Sequence, residues 1–143
     1  MHPEHCVAEV GKQMTLLDTN TESVIVHFIK IGSFNFLFHI KRDKEQTIYM
    51  TAQLFGTKVS ASKWTYELHV YNKKAPRRIF TSIDICNSYG VPVEDIFKKG
   101  QCAIINQQYA STFFNNKELT YEFYLKNVPN NKKYRLVKTE LNA

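Results

Sequence analysis

The residues of this 143-residue chain best suited to metal binding or nucleophilic chemistry are five histidines and three cysteines, and only His2, His5 and Cys6 lie close together. A structural zinc site needs four ligands, usually in two spaced pairs, and no second pair follows these three. Cys86 and Cys102 sit in or beside apolar runs without CxxC spacing. They read as free thiols at core positions, not as a disulfide framework or half of a zinc site. Glu94 and Asp95 are adjacent in a segment with helical character, where neighbouring side chains diverge instead of forming a carboxylate pair. GxSxG, HExxH and P-loop patterns are absent from the sequence, so the hydrolase, zincin and NTPase templates lack their working residues. On these grounds no catalytic residue, metal or cofactor is assigned, and a non-enzymatic protein is expected.

Charge offers a second kind of chemistry. The net charge of +6 is concentrated between Lys41 and Arg78, where nine basic residues face only Asp43, Glu45 and Glu67. Most of the nine fall at expected turns, which is how solvated loop tips look. Combined with aromatics such as Tyr71, expected to be exposed, the same charges describe a nucleic-acid surface as an alternative. His39 and His69 are expected on solvent faces.

The elements that would carry these groups are strands. Ten Phe, eight Tyr and many β-branched residues favour sheet, and a chain of this length supports one domain with its own core. A short strand at Met14–Leu17 is followed by Ser23–Ile31, which is apolar on both faces: Val24, Val26 and Phe28 on one, Ile25, His27, Ile29 and Ile31 on the other. The second set is taken as the outward face, more apolar than a bare edge. Phe34, Phe36, Phe38 and Ile40 then alternate with Asn35, His39 and Lys41, apart from Leu37, after a Gly32-Ser33 break, and further strands are expected at Ile48–Phe55, Trp64–Tyr71, Arg77–Asp84, Gln101–Asn106 and Leu119–Lys126. Val93–Lys99, placed after Pro92 and stopped by Gly100, is the one short helix expected. Residues 107–116 fit no element, with Phe113 and Phe114 directed to the core. With no signal-like segment and no long apolar run, the chain is expected to be intracellular (cytoplasmic, nuclear or both) with no membrane association.

Gln53-Leu54-Phe55-Gly56-Thr57-Lys58, then Tyr66-Glu67-Leu68, Arg77-Arg78-Ile79, the aromatic strand Phe34–Phe38 and the stretch Lys99–Ile104 occur in an order and spacing that resembles the substrate-binding domain of the Seven-in-absentia (Siah-type) ubiquitin ligases. The resemblance runs from about Val10 to Asn127. It implies an all-β, antiparallel TRAF-like β-sandwich of about eight strands that forms homodimers and captures degron-type peptides by β-augmentation, presenting the bound protein to a RING domain. Carried over by position, the peptide-binding residues are Val26, His27 and Ile29, with Val10 on the facing side. The family has a tryptophan where His27 aligns and an acidic residue where Val26 aligns.

The expected organisation is therefore a lead-in at residues 1–9, either a disordered terminus or the remnant of an upstream zinc finger, a sandwich at 10–127, and a polar tail at 128–143. The expected function is a homodimeric, non-catalytic module that binds a peptide segment of another protein, with an exposed His27 adding pH sensitivity near neutrality. The alternatives are a dimerising scaffold that uses the Val24–Ile31 edge for itself, and a basic nucleic-acid-binding module.

Overall fold

The computed structural model describes residues 5–7, 14–17, 22–128 and 132–135. Val10 and His2 lie outside them. Two sheets face each other, and among the described residues seven of the nine strand pairings are antiparallel, His5–Val7 with Ser23–Ile31 and Ile48–Leu54 with Asn87–Ser88 being parallel. The first sheet has the order β1 (His5–Val7), β3 (Ser23–Ile31), β4 (Phe34–Arg42), β5 (Ile48–Leu54) and β8 (Asn87–Ser88), with β9 (Ala103–Ile105) also pairing β5. The second runs β11 (Lys132–Arg135), β10 (Glu118–Asn127), β6 (Trp64–Asn72) and β7 (Ala75–Ile85), with β2 (Met14–Leu17) on β10. β1 falls in the expected lead-in and β11 in the expected tail.

Local chemistry explains the joins. Gly32 has φ of 58° in the two-residue turn that closes Ile31 against Phe34. A glycine at the first turn position is what a tight hairpin of this hand requires. Thr57 caps α1 (Lys58–Ala61) by accepting from the Ser60 amide, and Asn106 caps α3 (Gln107–Ser111) by accepting from the Tyr109 amide. Both helices fall where sequence periodicity is silent, because a single turn carries too few residues to show a 3.6-residue pattern. α2 (Val93–Lys98) starts after Pro92 and ends before Gly100, whose φ is 69°.

Alternation fills the space between the sheets. Phe36, Phe38 and Ile40 from β4, and Met50, Ala52 and Leu54 from β5, meet Tyr66, Leu68 and Val70 from β6 and Tyr121, Phe123 and Leu125 from β10. Phe38 stacks on Phe123 with centroids 4.2 Å apart at 17°, and Phe36 meets Trp64 edge-on at 5.0 Å. Such offset and edge contacts add to the area each ring buries. Phe113 closes one end of the core at 0% exposure, and Phe114 packs partly buried against it.

β3 is placed with the opposite pleat from the one expected. Ile29 is 0% exposed and His27 7%, with Ile25 and Ile31 packed against the core, while Val24 is 47% exposed. Both faces of this strand are apolar, so alternation alone does not say which turns inward. Hence His27 and Ile29 do not project outward as expected, and only Val26 of the proposed β3 residues does. Ile29→Ala should cost about 2–5 kcal/mol in urea unfolding, and Val24→Ala under about 1 kcal/mol. Equal losses would refute this face assignment.

Candidate functional site: an apolar groove on the outer face of the first sheet

The outer face of β5 is covered by the chain's own segment 86–98, and one side chain anchors it. Gln53 donates its amide to the carbonyls of Val91 (2.6 Å) and Ser88 (3.4 Å). Its Oε1 then accepts from His39 Nε2 at 2.7 Å. Because both amide hydrogens point at carbonyls, the ring nitrogen must carry the proton, and His39 is the Nε2–H tautomer. Ser88 Oγ donates to the Gly56 carbonyl at 2.6 Å, and the Tyr89 amide to Leu54 O at 2.9 Å. This knot holds Tyr89 against Phe55, centroids 4.4 Å apart.

β3 and β4 remain open beside it. Val26, Phe28, Leu37 and His39 floor a groove of about 580 Å3, walled by Phe55, Tyr89 and residues 90–93. Phe55 and Tyr89 are 42% and 53% exposed, more aromatic surface than a folded domain usually leaves to water beside a concave site. Beyond the groove lies the edge of β3, on which β1 pairs in parallel with His5 opposite Val26.

Inside the sandwich, His27 Nε2 shares a 2.8 Å hydrogen bond with Tyr121 Oη and stacks near Phe38. Burial pushes its pKa down to about 4, so His27 is neutral at physiological pH and is not the exposed pH sensor expected. His39 also departs from expectation. It lies on the outer face of β4, but the 89–93 segment buries it to 7% exposure, and burial lowers its pKa in spite of the Gln53 bond and the nearby Glu94 charge. Tyr71 is likewise buried, not exposed, and donates to Glu122 Oε2 at 2.8 Å. Arg42 lies over the Phe114 ring, and Arg78 over Tyr109 and Phe113. These two cations are stacked on the domain's own rings.

Cys86 is buried and its thiol pushed far up by desolvation, while Cys102, half-buried, is pushed up to about 11. Both are thiols at neutral pH, and the thiolate is the reactive form. Glu94 accepts from Lys41 Nζ at 2.9 Å. Among the described residues no group of three His, Cys, Asp or Glu is placed to hold a metal ion, and no helix is long and apolar enough to cross a membrane. What the site offers is a shaped apolar trough.

Of the groove residues, only Val26 came from sequence. Phe28, Leu37, His39, Gln53, Phe55 and Tyr89 were missed, although two of them stand in the Gln53–Lys58 motif. That motif is now explicable residue by residue: Gln53 ties down the covering segment, Leu54 enters the core, Phe55 walls the groove and Thr57 caps a helix. The distant contribution of Tyr89 and Val91 left no local signal.

The His27 environment has a thermodynamic consequence. Its folded pKa lies below the unfolded value of about 6.5, so the unfolded chain takes the proton first as pH falls. The stability contributed by neutral His27 is therefore present above about pH 6.5 and lost progressively down to about pH 4, approaching about 3 kcal/mol at 1.36 kcal/mol per unit. Chemical denaturation of His27→Gln should lose less stability than the wild type across that window. Parallel pH profiles would contradict the assignment.

Residues 30–123 match the family model described as Sina, TRAF-like domain. No curated protein sequence matches the chain. The matched stretch runs from the end of β3 to Phe123 of β10, taking in β4, β5 and the covering segment 86–98. It spans well over half of the chain, so the chain belongs to the Sina TRAF-like domain family, and its β-sandwich is a protein-interaction domain of that family.

Proposed function

We propose that this domain captures an extended peptide segment of another protein along β3, with apolar side chains of the peptide seated in the groove over Val26 and Phe28, and that it is not itself catalytic. The groove beside a strand edge is the observation that carries this. Backbone pairing at an edge supplies affinity, and pockets for alternate side chains supply selectivity. The floor is apolar, with one donor–acceptor pair, His39–Gln53, already bonded internally, so selectivity is for shape and apolarity and not for charge. Set beside the resemblance to Siah-type ligases, the role is that of an adaptor recruiting a protein in the ubiquitin pathway. The nucleic-acid alternative has less behind it, since Tyr71 is buried and Arg42 and Arg78 are stacked on internal rings.

Panning a displayed random-peptide library on the immobilised full chain is the direct test. Peptides with an apolar consensus should be enriched on the wild type and lost on Val26→Asp, a change on the outer face that leaves the core intact. Absence of enrichment on the wild type, or undiminished enrichment on Val26→Asp, would sink the proposal.

Homodimerisation is favoured by a different observation. β7 ends the second sheet's strand order, and Ile79, Ile83 and Ile85 alternate along its outer face at 46%, 63% and 53% exposure. A row of apolar side chains on an exposed sheet face is a surface that proteins normally cover, and the same face of a second copy would cover it. Light scattering should give a dimer for the wild type and a monomer for Ile83→Lys. A monomeric wild type, or a dimer indifferent to the change, would remove this reading.

A further inference from the structure

The edge of β3 that a partner peptide would use is already taken by the chain itself. β1 pairs with it over His5–Val26, Cys6–His27 and Val7–Phe28. β3 is nine residues long, yet the three positions β1 covers include Val26 and Phe28, the two β3 residues in the groove floor. We propose that β1 is an intramolecular occupant of the partner site, and that a partner peptide binds by displacing it. The inference rests on the reading of β3 as the partner site.

Two features make β1 an exchangeable strand and not a permanent member of the sheet. It is three residues long, and its pairing is parallel, which is the less stable arrangement per residue. β3 does not need it. On its other side β3 makes a nine-residue antiparallel pairing with β4, from Ser23–Arg42 to Ile31–Phe34, and its inward residues are locked in the core. Release of β1 therefore opens the edge without dismantling the sandwich. A short weak strand competes effectively only because it is tethered. Residues 8–13 join it directly to β2, and a short link gives an effective concentration on the order of millimolar. A free peptide then meets an edge that is mostly filled, and its apparent affinity falls by the fraction of time the edge is open.

The test uses the full chain carrying Cys6→Pro and Val7→Pro. Successive amides of a strand point to opposite sides, so two adjacent prolines remove at least one donor facing β3 whichever residue supplies it. The probe is a labelled synthetic peptide with the sequence of residues 1–10, followed by fluorescence anisotropy. It should bind the double variant at least about tenfold more tightly than the wild type, and amide exchange at Val26–Phe28 should be faster in the variant while β6 and β10 stay protected. Equal affinities, no binding to the variant, or unchanged exchange would overturn self-occupancy. A peptide from the library selection should then compete with the labelled probe on the variant, which supports displacement. Simultaneous binding of the two overturns displacement but leaves the groove as a partner site. If the probe binds while no library peptide is ever recovered, the partner reading itself has failed, and displacement with it.

Discussion

The hydrogen bond between His27 and Tyr121 crosses the sandwich and joins β3 to β10. It makes an imidazole acceptable between Phe38 and Tyr121, because a buried polar group is tolerated when it has a partner. It also determines the pleat of β3. With His27 turned to Tyr121, Ile25, Ile29 and Ile31 must follow inward, and Val24, Val26 and Phe28 must face out. A slip of one residue would expose Ile29 and leave the Tyr121 hydroxyl without this bond in the core. The outer face available to a partner is thus a consequence of what happens inside.

The same division of labour shapes the groove. β5 is covered on both faces, by the second sheet within and by the 86–98 segment without, which is why Thr51 and Gln53 are buried at 0% and 2% exposure. Gln53 can occupy such a place because all three of its polar contacts are made within the domain. Where this covering segment stops, Val26 and Phe28 are left partly exposed on an apolar sheet face, with Leu37 buried beside them. A polar knot next to an apolar trough gives a rigid wall and an adaptable floor, an arrangement suited to holding an extended chain.

Much of the fold was legible because strands that bury one face write their pleat into the sequence. Phe36–Phe38–Ile40, Tyr66–Leu68–Val70 and Tyr121–Phe123–Leu125 all point inward as their alternation indicates, and α2 lies between the proline and glycine that bracket it. The family likewise was readable from the Gln53–Lys58 motif and its neighbours, which fall in the stretch matched by the Sina TRAF-like model. One-turn helices were not legible, since α1 and α3 are set by a cap residue and a local bond and carry no period.

By itself, then, the sequence determined the class of fold, the places of most strands and the kind of domain, through composition, period-2 alternation and one motif with its spacing. Tertiary structure alone decided the side of β3 that faces out, the burial of His27 and His39, and the assembly of the groove. The reason is physical. Alternation states that two faces differ only when one is polar, and β3 is apolar on both. The groove is made by residues far apart in the chain, Val26 with Tyr89 and His39 with Gln53 and Val91, and their meeting depends on how the sheets and the 86–98 segment pack, not on any local pattern.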